Sequence, residues 1–86
     1  MEYKNNTVSE LNDWTKSIFD NFGKIVILKH YNNYDKINLY RDNIQDLKDC
    51  LDMKIKKLKN NDIKDDLKDL LYRVKVLDKY LDTNFY

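Results

Sequence analysis

Four aspartates at helical spacing form the set of side chains most able to do chemistry in this sequence. They are Asp42, Asp46, Asp49 and Asp52. Residues three and four apart on a helix lie on the same side, so the first three would share one face. Carboxylates grouped in this way could hold a metal ion or act as acid and base. A di-metal helical bundle also needs Glu-x-x-His pairs, and the sequence has none. We therefore interpret the four carboxylates as a solvated helix face.

The other reactive residue types occur singly. His30 is the only histidine, and Cys50 is the only cysteine. No nucleophilic residue forms a recognisable catalytic motif with His30. A single cysteine provides neither the ligand spacing of a zinc site nor an internal disulfide. The single glycine, Gly23, excludes a glycine-rich phosphate loop. The sequence therefore predicts no catalytic, metal-binding or cofactor-binding residues, and a protein that is not an enzyme.

A basic cluster precedes an acidic cluster in the second half of the chain. The basic cluster is Lys54, Lys56, Lys57 and Lys59, and the acidic cluster is Asp62, Asp65, Asp66 and Asp69. Lysines could contact phosphates, but the basic cluster contains no arginine, the usual residue for base reading and bidentate phosphate contacts. At the end of one helix and the start of the next, both clusters suit the helix dipoles. We interpret them first as specifying the fold, with nucleic-acid binding through the lysines as the weaker alternative.

The charge balance limits the classes of partner. The 86 residues include 16 basic and 15 acidic side chains, for a net charge of +1. This balance argues against a generic nucleic-acid binder and against a membrane-surface peptide. The longest aliphatic run, residues 25–28, is too short to span a bilayer. The polar start lacks the apolar region of a signal peptide. We expect a cytoplasmic protein, in a bacterial or host cytosol, without a membrane partner.

Amino-acid usage points to the kind of genome that encodes the chain. Lys, Asn, Asp, Ile and Tyr are abundant, and their codons are rich in A and T or tolerate them. We therefore expect an AT-rich genome, such as that of a low-GC bacterium, its phages and plasmids, or an AT-rich virus.

Two long amphipathic patterns organise the chain between residues 35 and 82. Apolar residues recur every three or four positions in both, as expected of helices with one buried face. They are Ile37, Tyr40, Ile44, Leu47, Leu51, Ile55 and Leu58 in the first, and Ile63, Leu67, Leu70, Val74, Leu77 and Leu81 in the second. We predict helices over about 34–59 and 62–82 that pair as an antiparallel hairpin, with Asp62 as the N-cap of the second.

A further helix is predicted before the hairpin. Residues 1–6 are polar and resemble a frayed end. Thr7 and Glu10 match a capping box, which would start a helix over about 8–22. Gly23 stands where a C′ glycine would end that helix.

The segment 24–31 is the least certain part of the chain. Its β-branched residues fit either a strand or a short buried helix. We favour the helix, because a lone strand would leave its backbone without partners. Asn32 and Asn33 then form a turn, and at the other end of the chain Phe85 and Tyr86 could fold back onto the bundle.

Several apolar residues lie on the backs of the two long helices, away from the buried stripes. They are Tyr72, Val76 and Tyr80 on the last helix, with Leu39 and Met53 on the preceding one. The N-terminal helix and segment 24–31 could cover one back, a homo-oligomer could cover the other, or a foreign protein could dock there. Tyr and Met are common in adaptable contact surfaces.

The predicted fold is all-α: residues 1–86 form a single domain, a small antiparallel bundle of three to four helices built on the C-terminal hairpin. The predicted function is that of a non-enzymatic protein-binding module, an inhibitor or immunity-type regulator that occupies the surface of a larger protein, borne by a phage or mobile element. The alternative is a homo-oligomeric scaffolding protein, for instance a homodimer. The partner in the first case is another protein.

Overall fold

The computed structural model describes residues 7–85, which are 89% helical and contain no strand. The elements are α1 (Val8–Asp20), α2 (Phe22–His30), α3 (Tyr34–Lys57) and α4 (Asn61–Asn84). Helices α1 and α2 follow each other with only Asn21 between them and form one bent helix. The structure confirms the all-α class and the small bundle built on a C-terminal hairpin. The predictions for residues 1–6 and for Tyr86 lie outside the described residues.

The hairpin of α3 and α4 forms most of the core. Each helix has 24 residues, which corresponds to about 36 Å. The apolar stripes face each other, and Ile37, Ile44, Leu47, Leu67 and Leu81 are wholly inaccessible to solvent. Burial of such side chains stabilises the folded state by about 1.5–3 kcal/mol each.

Helix α1 packs against the hairpin and runs antiparallel to α3. Near its middle, the Trp14 Nε1 donates a hydrogen bond to Asn43 Oδ1 over 2.9 Å. At its end, the hydroxyl of Tyr40 donates to the backbone carbonyl of Ile18. Carbonyls in the last turn of a helix lose their intrahelical partners, so the Tyr40 hydroxyl satisfies a group that the bend would otherwise leave unbonded.

The start of α1 is the capping box expected from the sequence. The Thr7 hydroxyl accepts from Glu10 N at 3.1 Å, and the Glu10 carboxylate accepts from Thr7 N at 2.9 Å. These hydrogen bonds, led by the backbone one, lower the pKa of the Glu10 carboxyl.

The bend between α1 and α2 does not use the glycine in the way that the sequence suggests. Asn21 occupies the junction with φ −87° and ψ −3°, and its side-chain amide donates to Ser17 O over 2.9 Å. Gly23 lies within the first turn of α2, and its φ is not positive. A Cβ atom added at Gly23 would have no neighbouring atom within 4 Å. The prediction that Gly23 ends a helix at C′ is therefore wrong, because the junction needs no left-handed residue.

Residues 24–30 of the segment 24–31 belong to helix α2 and not to a strand, and Tyr31 follows as the C-cap of that helix. Of its aliphatic residues, Ile25 is buried, whereas Val26 and Ile27 are 47% and 58% exposed. The expectation of a buried helix is thus correct for one face only.

Helix α2 ends at a left-handed asparagine. Asn32 has φ 60°, its N–H donates to Lys29 O, and the N–H of Asn33 donates to Leu28 O, both over 2.9 Å. This pair of bonds is a Schellman motif with Asn32 at C′. Asn33 then caps α3 by accepting from Lys36 N, so the expected turn at these two asparagines is present.

The turn of the hairpin is capped by a different residue from the one predicted. Asn60 Oδ1 accepts from the N–H groups of Asp62 and Ile63, at 3.0 and 3.2 Å. Asp62 lies inside the first turn of α4, where its charge suits the helix dipole. The N-cap is Asn60 because α3 already ends at Lys57, which leaves three residues for the connection.

The ion pairs that join the two long helices lie near the open end of the hairpin. Lys48 Nζ is 2.8 Å from Asp78 Oδ2, and Arg41 reaches both Asp78 and Asp82 at 3.5 and 3.4 Å. At the turn, Lys56 instead pairs with Asp52 of its own helix. Within residues 7–85, no observed ion pair joins the basic cluster to the acidic cluster. The dipole role of these clusters remains a prediction.

We predict that Gly23→Ala stabilises the protein. Alanine removes the conformational freedom of glycine in the unfolded chain and fits the open space in α2, so we expect a gain of about 0.5–1 kcal/mol in the free energy of unfolding. Asn32→Ala should instead lose about 1 kcal/mol, because alanine resists the left-handed conformation. Urea unfolding of both variants measures this, and destabilisation by Gly23→Ala would contradict the assignment of the bend.

A second prediction concerns Tyr40, which is only 8% exposed. Burial raises the pKa of its hydroxyl to about 12, against about 10 in the unfolded chain. The folded state therefore favours the neutral phenol, and this contribution to stability is complete below pH 10 and lost as the pH rises through 12. The loss would approach about 3 kcal/mol, at 1.4 kcal/mol per pKa unit.

Tyr40→Phe isolates this effect from the other groups that titrate in the same range. At pH 9 we expect the variant to be less stable than the wild type by about 1 kcal/mol, because the hydrogen bond to Ile18 is lost. Towards pH 12 the wild type should no longer be more stable than Tyr40→Phe. Urea unfolding across this range tests the idea, and stability curves that stay parallel would refute it.

Candidate protein-docking groove

The exposed face of α4 carries a row of three apolar residues. Tyr72, Val76 and Tyr80 are 67%, 51% and 48% exposed, and their spacing of four residues places them along one side of the helix for about two turns. The buried stripe of α4 points the other way, into the contact with α3. The row is thus not needed to hold the hairpin together.

The bent helix supplies the opposite wall of a groove along this row. Phe19, which is 40% exposed, and the half-buried Phe22 lie across from α4. Together with the row on α4 they enclose an open groove of about 480 Å³, with Leu77 and Arg73 completing its lining. The N-terminal helix therefore covers the hairpin in part and leaves this side accessible.

An aromatic cluster fixes the end of the groove at Tyr80. Phe22 meets Tyr80 edge-on with ring centroids 5.8 Å apart, and both rings contact Phe85 at 6.4 and 6.3 Å. Edge-to-face pairs of this kind add about 0.5–1.5 kcal/mol beyond the area that they bury. Because these three rings come from α2, α4 and the residue after α4, they hold the two walls of the groove in place.

The C-terminal residue of the described chain is itself held down by α2. Phe85 is 4% exposed, and Lys29 Nζ lies 5.0 Å from the centre of its ring, where a cation–π contact is favourable. The same amine donates to the backbone carbonyl of Asn84. The expected return of the C-terminal aromatics to the bundle is therefore present at Phe85.

Arg73 borders the groove as a constrained side chain. Its Nε and Nη2 both donate to Asp69 Oδ2, over 3.1 and 2.8 Å. Both side chains are more than half exposed, so the ion pair contributes little to stability. Its effect is to neutralise the charge of Asp69 beside the groove.

Of the five residues predicted for protein binding, the structure brings three together. Tyr72, Val76 and Tyr80 line the groove. Leu39 is 67% exposed on α3, and Met53 is half-buried further along the same helix. Neither is part of the groove.

The two phenylalanines of the opposite wall, Phe19 and Phe22, are not among the residues that the sequence predicts for protein binding. A signal was present, because Phe19 follows Ile18 directly and so points about 100° away from it. Only one of two neighbouring apolar residues on a helix can face the core fully.

The other sequence candidates lie apart from one another. In the basic cluster, Lys54 is half-buried, Lys56 is paired with Asp52, and Lys57 and Lys59 are exposed. Cys50 is 1% exposed within the core. Of the carboxylates on α3, Asp49 accepts a hydrogen bond from Gln45.

His30 is exposed and is the last residue of α2. Between residues 7 and 85, no group of three or more His, Cys, Asp or Glu side chains is arranged to hold a metal ion.

Comparison with known proteins yields no family model, no curated protein and no solved structure that matches this chain. In the part of the chain that the structure describes, none of the helices combines the length and the apolar character needed to cross a membrane.

We predict that Tyr72, the first residue of the row on α4, can be truncated without loss of folding. Tyr72→Ala should change the free energy of unfolding by no more than about 0.5 kcal/mol, as is usual for exposed positions. Leu77→Ala, in the 7% exposed floor of the groove, should lose about 2–5 kcal/mol. Urea unfolding of both variants gives the comparison, and a large loss for Tyr72→Ala would show that the row is a structural element.

Proposed function

We propose that this chain is a non-enzymatic protein-binding module that uses the groove between α4 and the bent helix to occupy the surface of a larger protein. The observation that carries the proposal is the concentration of exposed apolar side chains there. Nine large apolar side chains are exposed among residues 7–85, and four of them, Phe19, Tyr72, Val76 and Tyr80, line this one groove. Exposed apolar residues gathered in a patch favour an interaction site, whereas scattered ones are ordinary.

The chemistry of the lining supports a protein as the partner. Tyrosine and phenylalanine are enriched where proteins bind each other, since rigid rings offer much contact area at little entropic cost. The groove is open along about 12 Å of α4, the length of the row from Tyr72 to Tyr80. An open, elongated, apolar groove of this kind fits a helix or an extended segment of another chain.

The groove is held ready for a partner. The contacts among Phe22, Tyr80 and Phe85 fix its walls before binding. Pre-ordered walls reduce the entropy lost on association. A small chain with such a surface can act simply by covering part of a larger protein, so we propose an inhibitor or immunity-type regulator. The abundance of amino acids with codons rich in A and T supports a phage or another mobile element as the carrier of the gene. We propose that the protein acts in a bacterial or host cytosol.

The test uses two exposed apolar residues on different faces. Val76 lies in the groove, and Leu39 is at least as exposed but lies on α3 outside it. We expect immobilised wild type and Leu39→Asp to retain the same protein from a lysate of the cells that naturally express the chain. Val76→Asp should lose it, because a carboxylate in an apolar contact remains desolvated without a partner.

The outcomes separate the alternatives. Circular dichroism first establishes that both variants keep the helical signal of the wild type. Retention of the partner by folded Val76→Asp would refute the groove as the binding surface. Sedimentation at micromolar concentration measures the oligomeric state of the wild type. If the wild type forms a stable oligomer that Val76→Asp dissociates, the homo-oligomeric scaffold is the correct function and our proposal is wrong.

A further inference from the structure

The charged residues that border the groove indicate what chemistry its occupant has. Lys68 stands one helical turn before Tyr72, and Lys79 stands three residues after Val76, so both lie beside the row on α4. On the other wall, Lys16 stands three residues before Phe19. All three lysines are exposed, and none takes part in an ion pair observed within residues 7–85.

The nearby acidic charge does not offset these lysines, since the exposed Asp65 lies about two turns before Tyr72, beyond the end of the row. Asp69, the carboxylate one turn before Tyr72 and Arg73, is already paired with Arg73. Asp20 follows Phe19 directly and therefore points about 100° further round α1, away from the groove. The immediate border of the apolar groove is thus basic, although the whole chain is nearly neutral.

This border argues against a second copy of the chain as the occupant. A two-fold dimer buries the same patch on both subunits. Two copies joined through the row on α4 would gather Lys68 and Lys79 of both protomers at a single interface. Like charges facing each other across an interface oppose association.

We propose that the groove binds an amphipathic helix of another protein whose apolar face is flanked by Asp and Glu. The row from Tyr72 to Tyr80 provides the contact for apolar residues at helical spacing. The acidic flanks meet Lys68 and Lys79 on one side and Lys16 on the other. This inference rests on the proposed function and specifies the partner at the same site.

Two synthetic helical peptides of about 15–20 residues provide the test. They share one apolar face and carry either Glu or Lys at the flanking positions. Fluorescence anisotropy at low ionic strength measures their affinity for the wild type. We expect the Glu peptide to bind at least about tenfold more tightly, and the difference to shrink as salt screens the charges.

Charge reversal then assigns the preference to particular residues. Lys68→Glu with Lys79→Glu should abolish or invert the preference for the Glu peptide. The matched control is Lys57→Glu with Lys59→Glu, which makes the same change in net charge at two exposed lysines near the hairpin turn. The control should keep the wild-type preference, and circular dichroism confirms that both double variants are folded.

Three results would overturn this inference. Equal affinity for both peptides would refute the role of the lysines, and neither peptide binding at about 1 mM would refute the acidic helix as the ligand. Equal loss of preference in the two double variants would show a general charge effect. The proposed function is decided separately by the comparison of Val76→Asp with Leu39→Asp, so protein binding through the groove can stand when the acidic helix fails.

Discussion

The apolar contact between α3 and α4 is the interaction on which the rest of this structure depends. Two helices of 24 residues meet along largely buried stripes made mostly of leucine, isoleucine and valine. Neither stripe can be buried by its own helix, so the two helices stabilise each other. The ion pairs of Asp78 with Arg41 and Lys48 lie at the border of this contact. They orient the hairpin more than they stabilise it, since these side chains remain partly accessible to water.

The bend of the N-terminal helix lets its two parts contact different regions of the hairpin. Helix α1 has 13 residues and spans about 20 Å, little more than half the length of α3. After Asn21 the chain continues as α2, in a new direction that brings Phe22 and Lys29 to the end of α4. The Tyr40 hydroxyl bonds the last turn of α1 at this point. The bend thus creates the groove, because it places Phe19 and Phe22 opposite the exposed row of α4 without closing the space between them.

The groove and the core use different residues of the same helix. On α4, Leu77 is buried while Val76, its neighbour, is half exposed. A mutation at one face can therefore change folding with little effect on binding, and a mutation at the other can do the reverse. Tyr80 also belongs to the aromatic cluster with Phe22 and Phe85. Tyr72 and Val76 lie outside that cluster and are the members of the row that we propose contact a partner. In our proposal the lysines beside the row add selectivity through charge, which affects the choice of partner more than the affinity.

The sequence by itself determined the helices, the hairpin and the capping box of Thr7, because each of these arises from residues no more than a few positions apart. It also placed Tyr72, Val76 and Tyr80 on an exposed face, since the 3.6-residue period separates them from the buried stripe. The caps were harder to assign. Asn60, Asn61 and Asp62 can all cap a helix, and the choice depends on where packing ends α3.

Only the tertiary structure decided the role of Gly23, the bend at Asn21 and the second wall of the groove. A glycine in the first turn of a helix and a glycine after the end of one look alike in a sequence, and the difference lies in the backbone φ. The position of Phe19 across from Val76 depends on how α1 crosses α4, and no local pattern encodes the relation between two helices that are distant in the chain. That relation is set by the packing of the whole core.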